Sequence, residues 1–430
     1  MLMGDPVSSA EFASLLNPLG PFGTPPRLGL AVSGGGDSLA LAVLAADWAE
    51  PQGGAVLALI VDHRLRIESR AEATDTAAKL ASLGIPAQVL TLDPLRPGPG
   101  LPARARDARL AALEAACREA GIIDLLLGHH AADQTETVIM RQLRGSRRAG
   151  LAGMAAISET ASVRLLRPLL GVAPGRLRAT LAARGLGWAE DPTNADGRFT
   201  RARLRTMRAD AAGAGPATRA FSAAAMADGR ARRVAERLMA DWLAAVVTVR
   251  PEGFALLPEG AWPPAALAAL LRMVTGASYP PPPEAIATIA ADPASAIKGG
   301  MCLGGARLLP AGRQGPGFLI CREAAAMAGP VPAAAGARWD GRFRRPIGQP
   351  DLPGEMIGAL GPEARRFRDI SDLPAVVLET LPVYRDVAGK LTALPALMWP
   401  RERTVSARRL LFHPKRPASG APFREDVVSD

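Results

Sequence analysis

Cysteine is almost missing from this chain. Cys117, Cys302 and Cys321 are its only three in 430 residues, far apart and without a C-x-x-C pair, so neither a disulfide framework nor a zinc knuckle can be read. Lysine is nearly as scarce, occurring at Lys79, Lys298, Lys390 and Lys415 alone, yet Lys+Arg total 51 against 41 Asp+Glu, a net charge of +10. A GC-rich coding sequence explains arginine in place of lysine but not the excess, which points to a polyanionic partner. Aromatics make up 4%, too few for the stacking platforms that hold single strands, so phosphate contact by arginine is expected. No apolar run approaches the roughly 18 to 20 residues of a membrane span, and the first thirty residues lack a basic start followed by an apolar stretch. A cytoplasmic protein without membrane contact is expected. An apolar content of 48% excludes disorder throughout, and about 150 residues per domain predicts two or three domains.

What is present is an alternation of strand and helix. Arg27–Val32, Val56–Val61, Ala87–Leu92 and Ile122–Leu127 are short apolar runs that read as buried strands. Between and after them, Leu39–Glu50, Glu68–Leu83, Ala103–Ala120 and Ala131–Arg144 read as helices. This order predicts an α/β catalytic domain over residues 1–215, a doubly wound parallel sheet with its site at the strand C-terminal ends. Beyond about Arg219 the texture changes. Residues 220–275 are helical by composition, Pro280–Pro283 mark a joint, and Lys298–Arg322 carries the glycine turns of a hairpin region. Two smaller modules are expected, a helical and hairpin one over 216–330 and an α+β one over 331–430.

Ser33, Gly34, Gly35, Gly36, Asp37 and Ser38 lie between a strand and a helix start. Glycines there turn the backbone tightly and aim successive N–H groups at an anion, for which phosphate is the natural guest. The loop lacks the Gly-Lys-Ser/Thr of a Walker motif and the spacing of a Rossmann fingerprint. Further on come Asp62-His63-Arg64-Leu65-Arg66 with Ser69 and Glu72, Arg106 and Arg109 on one helical face, and Gly128-His129-His130-Ala131-Ala132-Asp133-Gln134-Thr135-Glu136 opening a helix. Asp133 and Glu136 share a face there, with His129 near its start. Arg144-Gly145-Ser146-Arg147, Gly150–Met154, Arg167-Pro168, Glu190–Asn194 and the run holding Arg201, Arg203 and Arg205 complete the set.

S-G-G-x-D-S after a strand resembles the pyrophosphatase loop of the N-type ATP family, and the ordered set from about Leu28 to Arg208 resembles the tRNA(Ile)-lysidine synthase family within it. Two departures stand out: Ala132 replaces the first of two adjacent acids, and Arg147 follows Gly145-Ser146 where a glycine is usual. The resemblance implies an adenine nucleotide alpha hydrolase-like fold and a ligase that joins L-lysine to C2 of the cytidine at the first anticodon position of CAU-anticodon tRNA(Ile). ATP would adenylate the C2 oxygen, with pyrophosphate and then AMP released, so that the tRNA reads AUA instead of AUG. It implies ATP contact by Ser33 to Ser38, Asp62 and His63, Mg²⁺ near Asp37, catalysis by Asp37, Arg109, Asp133 and Glu136, and lysine or tRNA contact by His129, Arg201 and Arg205. Arginines of the C-terminal half such as Arg342, Arg344 and Arg345 are expected on the tRNA body. A homodimer is left open.

Plainer readings stand beside these. Asp133 and Glu136 near a helix start complement its dipole, Arg106 and Arg109 can be a solvated face, and His63 and His129 can be structural hydrogen-bond partners. Arg201, Arg203 and Arg205 can form a generic basic surface, and Cys117 can be core. Competing functions are a PP-loop tRNA thiolase, disfavoured by the isolated cysteines, a small-molecule amide synthetase, and a noncatalytic RNA-binding protein with a vestigial loop.

Overall fold

The structure, a computed structural model, describes residues 4–64, 68–94, 96, 98, 100–143, 145, 151–160, 162–189, 210, 213–400 and 408–419. Two compact units emerge, residues 1–234 and 235–421.

In the first unit six strands form one sheet: β1 (Arg27–Val32), β2 (Ala55–Asp62), β3 (Ala87–Thr91), β4 (Asp124–Leu127), β5 (Ile157–Glu159) and β6 (Arg164–Leu166), ordered β3-β2-β1-β4-β6-β5. All neighbours pair in parallel except β5, which closes the edge antiparallel to β6. The helices are α1 (Ser9–Leu16), α2 (Gly36–Ala49), α3 (Ser69–Ser82), α4 (Leu101–Glu119), α5 (Ala131–Leu143) and α6 (Pro174–Ala182). Strand alternation sorts them onto two faces. Leu28, Leu30, Val32, Ala58 and Ile60 pack with Phe12, Leu39, Leu41 and Leu80 of α1, α2 and α3, whereas Ala31, Leu59 and Leu125 pack with Leu113, Ala116 and Cys117 of α4. Helices on both faces of a parallel sheet make the doubly wound α/β fold expected from the sequence. The short pair β5 and β6 was not foreseen, being runs of three residues.

Helix α2 begins at Gly36, three residues earlier than the apolar pattern predicts. The pattern starts at Leu39 because only there does a side chain enter the core; the backbone has already turned helical behind Gly35. Asp37 and Ser38 therefore belong to the first turn of a helix rather than to a loop.

In the second unit β7 (Thr248–Arg250), β8 (Phe254–Leu257), β9 (Met301–Leu303), β10 (Ala306–Pro310) and β11 (Phe318–Arg322) form an antiparallel sheet ordered β7-β8-β11-β10-β9. The hairpin β7–β8 interrupts what composition suggested was a helical stretch over 220–275; helices occupy Pro216–Val246 and Pro264–Thr275 on either side of it. Phe318 and Ile320 face one core with Leu267 and Leu270, and Leu319 and Cys321 face another with Phe367, Leu378 and Val383. Covered on both faces, this sheet ties residues 248–322 to residues 360–394.

A buried ion cluster corrects one sequence expectation. Arg342 and Arg345 are both fully buried. Arg342 Nε donates to Asp340 Oδ2 at 2.7 Å, and its guanidinium lies 5.1 Å from the Phe343 ring centre and 5.8 Å from that of Trp339. Arg322 grips the same carboxylate, Nε to Oδ2 at 3.0 Å and Nη2 to Oδ1 at 3.1 Å. Arg345 donates to the Pro350 carbonyl. Two of the three arginines expected on tRNA are thus internal; charge in a sequence does not reveal burial, and planar guanidinium stacked on aromatics is a stable way to bury it.

Removing one member of a buried ion cluster leaves the others uncompensated. Asp340→Ala is expected to cost about 3 to 5 kcal/mol of stability, read as a lowered midpoint in chemical denaturation. A wild-type midpoint would show that Asp340 does not hold the cluster.

Candidate active site

Gly34 has φ +83°, a conformation L side chains avoid, and a methyl group there would lie 2.6 Å from Thr76 Oγ1 of α3. The turn it permits leads through Gly35 into α2. Ser38 Oγ closes the turn, accepting from the Ser33 N–H at 3.1 Å and donating to the Gly35 carbonyl at 3.0 Å, with Ser33 Oγ 3.2 Å away. Ser33 and Ser38 thereby shape the loop, while the first N–H groups of α2 have no partner inside the helix, the arrangement that suits an anion at a helix start. Asp37 stands in that first turn with its side chain 39% exposed.

The second helix start is α5. His130 is its N-cap: its carbonyl accepts from the Gln134 N–H at 3.1 Å, and its ring Nδ1 accepts from the Asp133 N–H at 3.4 Å. Asp133 reaches back, Oδ2 accepting from the His130 backbone N–H at 3.1 Å. This is a reciprocal capping box with histidine in the place usually held by serine or threonine. The same His130 ring extends to the other helix, its Nε2 3.3 Å from Asp37 Oδ2. Glu136, one turn further along α5, is wholly enclosed. Ala132 is buried as well, so the departure from paired acids puts a small apolar group inside the fold. Gln134 holds the Gly153–Met154 turn, donating to the Met154 carbonyl at 3.0 Å and accepting its N–H at 2.7 Å, and Arg141 donates to the Gly153 carbonyl at 2.8 Å.

At the end of β2, Asp62 is buried. Its Oδ1 accepts from the Arg64 N–H at 2.9 Å and the Ser69 hydroxyl at 2.7 Å, while Oδ2 is buried without a partner. Burial pushes this carboxyl up, but the bonds from Ser69 and Arg64 and the charges of Arg64 and Arg70 outweigh it and hold the group below its ordinary range.

His63 and His129 lie in a cationic field. Burial pushes His63 down, reinforced by Arg109 and partly offset by Asp62. Burial lowers His129 to about 4, with Arg167 next, Asp133 opposing, and Arg106 and Arg109 adding to the fall. Burial and Arg106 also lower Arg109 and bring Arg167 to about 10. Arg167 donates to the Ala155 carbonyl at 2.8 Å and Ser158 Oγ at 3.1 Å, leaving Nε buried and unpartnered. The Nδ1 atoms of both histidines are likewise buried and unpartnered. Asp62 Oδ2, His63 Nδ1, His129 Nδ1 and Arg167 Nε are buried polar atoms for which no partner is found among the described residues.

The structure thus brings Asp37 and Asp133 together through His130, and His63, His129 and Arg109 together with Arg106 and Arg167. Sequence reasoning assigned no role to His130 or Arg167. For His130 the usable signal was the acid three residues later, at capping-box spacing. Arg201, Arg203 and Arg205, the Glu190–Asn194 motif, Arg66, Arg144 and Arg147 lie outside the described residues.

A family model described as a PP-loop domain matches residues 5–210. Among curated relatives, tRNA(Ile)-lysidine synthase of Caulobacter vibrioides is 34% identical over 376 residues, 84% of this chain and 85% of its own length. That of Hyphomonas neptunium is 37% identical over 296 residues, 65% of this chain and 78% of its own. That of Bradyrhizobium sp. is 43% identical over 240 residues, 55% of this chain. The match spans 65% of the last protein, just under two thirds of its length. A solved U34-tRNA thiolase from Methanococcus maripaludis bears a likeness at TM-score 0.43 and 16% identity, over 52% of this chain and 80% of that one, too slight to carry an argument.

Because the folded-state value of His129 is depressed, the unfolded chain binds the extra proton first as pH falls below about 6.5. His129 is expected to draw stability down as pH drops from about 6.5 towards 4, with no effect above that window and the full effect below it. Its imidazole signal should titrate near 4 in NMR, and Arg167→Gln should move that titration upward. An unshifted titration in the variant would remove Arg167 from its surroundings.

Proposed function

The chain belongs to the tRNA(Ile)-lysidine synthase family, and we propose that it ligates L-lysine to C2 of the first anticodon cytidine of CAU-anticodon tRNA(Ile) at the expense of ATP. The observation that carries this reading is the junction of an anion cradle at α2 with a carboxylate-bearing helix start at α5, bridged by one imidazole. Adenylation of the cytosine O2 places developing charge on the departing pyrophosphate. Unpaired N–H groups at the start of α2 suit that charge, since preorganised donors act without reorganising as it grows. Arg106 and Arg109 of α4, with Arg167 just after β6, supply further positive field. Asp62 and His63, with buried unpartnered atoms at the strand end, suit contacts to the nucleoside part of ATP.

Mg²⁺ fits the residues present in a limited way. Among the described residues no group of three or more His, Cys, Asp or Glu could hold a metal. Mg²⁺, however, usually keeps waters and takes one or two carboxylates together with substrate phosphates, and the half-exposed Asp37 offers one beside the cradle. When bound there it supplies charge neutralisation to the phosphates.

The second step needs a neutral amine from lysine, whose ammonium has an ordinary pKa of about 10.4. Asp133 and Glu136, both buried on α5, suit the ammonium by charge and assist loss of its proton. Low surrounding exposure strengthens that attraction.

Two competing readings lose ground. A thiolase needs an accessible thiolate, yet burial pushes Cys117 up to about 11 and Cys321 to about 12, and burial with Glu323 beside it raises Cys302 as well. A vestigial nucleotide loop has no reason to retain Asp37, Ser38 and the capped α5 in contact.

The CAU anticodon is shared with methionine tRNAs, so selectivity has to come from beyond the base. The modules over 216–330 and 331–430 take that part in this proposal, with work on tRNA placing the protein in the cytoplasm. In place of the buried Arg342 and Arg345, the outer face of a small sheet offers cations. Its strands are Arg338–Trp339, Phe343–Arg344 and Leu411–Phe412, and Arg338 sits directly opposite Arg344. His413 Nδ1 lies 3.3 Å from Arg338 Nη2. Like charges opposite each other are unfavourable without an anion between them.

The deciding experiment is incubation of the protein with ATP, Mg²⁺, labelled lysine and CAU-bearing tRNA transcripts. Label fixed in isoleucine tRNA alone is expected; label in none, or in methionine tRNA equally, overturns the reading. Asp37→Asn is expected to lower turnover at least about 100-fold with unchanged folding, and near-normal turnover would remove Asp37 from the ATP site. Arg338→Ala with Arg344→Ala should weaken tRNA binding and flatten its dependence on log salt by about one to two units. An unchanged slope would put the RNA elsewhere.

A further inference from the structure

Resting on the reading just given, we propose that His130 is a positioning residue that sets the Asp37 carboxylate and the α5 carboxylates in one fixed relation. The geometry assigns its tautomer. Nδ1 accepts from the Asp133 N–H at 3.4 Å, and an imidazole nitrogen that accepts carries no proton. In the neutral ring the proton is then on Nε2, which faces Asp37 Oδ2 at 3.3 Å, while Nδ1 also lies 3.6 Å from Asp133 Oδ2. The ring is buried, 6% exposed, so it has no freedom to turn away. Asp133 cannot shift alone either, because its Oδ2 accepts from the His130 backbone N–H at 3.1 Å.

One side chain therefore serves two helix starts. Towards α5 it acts as the N-cap acceptor, fixing the first turn that carries Asp133 and, one turn on, Glu136. Towards α2 it orients Asp37, engaging one carboxylate oxygen and leaving the other for the phosphate side. In a two-step ligation the adenylated base has to be presented to the lysine amine without rebuilding the site between steps. A rigid link between the groups that handle pyrophosphate and those that handle the amine meets that requirement. The backbone supports the same link: a methyl group at Gly128, just before the α5 turn, would lie 3.1 Å from the Ser38 Cα of α2.

Two variants separate linking from capping. His130→Asn keeps a strong N-cap acceptor but is too short to reach Asp37; His130→Gln keeps the reach and gives up cap strength. His130→Asn is expected to retain the wild-type melting temperature within about 2 °C while losing about 10- to 100-fold in the adenylation half-reaction, as for other residues that orient a site carboxylate. His130→Gln is expected to melt lower and recover part of that loss. In the free wild-type enzyme, ¹⁵N NMR should find the His130 proton on Nε2, and Asp37→Asn should shift that signal. A proton on Nδ1, full adenylation by His130→Asn, or activity that simply follows melting temperature across the variants would overturn the proposal. Failure of the wild-type protein to adenylate any tRNA would instead sink the ligase reading, and the tautomer measurement on the free enzyme would still decide the role of His130.

Discussion

Strands β1 and β4 pair in parallel, Leu28 with Asp124 through Ala31 with Leu127, at the place where the winding of the chain reverses. From β1 the chain steps outward to β2 and β3, then returns to the far side of β1 for β4. The connections that leave β1 and β4 depart to opposite sides, and a crevice opens between them. The loops holding Gly34–Ser38 and Gly128–His130 are the two lips of that crevice. The contact of His130 with Asp37, and the partial positive charge of two helix starts at one place, follow from this pairing. A register slip of one residue would turn Leu28, Leu30 and Val32 out of their core, so the packing of α1, α2 and α3 indirectly holds the site.

Electrostatics divide the crevice. Arg106 and Arg109 of α4 and Arg167, just after β6, gather around the imidazoles of His63 and His129, which burial first and these arginines second hold down. On the α5 side stand Asp133 and Glu136. Guanidiniums gathered beside neutral imidazoles leave a positive field that suits a phosphate-bearing ligand, and the carboxylates of α5 suit an ammonium. One crevice thereby accommodates the two oppositely charged partners that a nucleotide-activated amine ligation requires.

Much of this was legible in the sequence where the chemistry is local. Gly34 has to be glycine because of its own φ and its approach to Thr76, and Asp62 stands at a strand end because apolar residues stop there. The alternating sheet of the first unit was legible because each strand is a buried apolar run bounded by glycine, proline or charge. Other features depended on neighbours the sequence does not name. His130 looked interchangeable with His129, although one caps a helix and the other is buried among arginines beside Asp133. Arg342 and Arg345 looked like surface charge, because the carboxylate of Asp340 and the rings of Trp339 and Phe343 that make burial of Arg342 tolerable become neighbours only in the folded turn. The hairpin Thr248–Leu257 was hidden within alanine-rich flanks whose composition speaks for helix.

The capping box at α5 also decides between two readings of Asp133. If its role were only to complement the helix dipole, either carboxylate oxygen would serve and the N-cap could be any short acceptor such as serine. Serine could accept from the Asp133 N–H, but its hydroxyl is too short to extend at the same time to Asp37, whereas the imidazole presents nitrogens on opposite edges. The use of imidazole at a position where smaller residues cap as well or better is therefore a structural cost that capping alone does not explain. It is explained by the second bond, the one to Asp37, and that bond has value only if the two helix starts act on the same bound molecule.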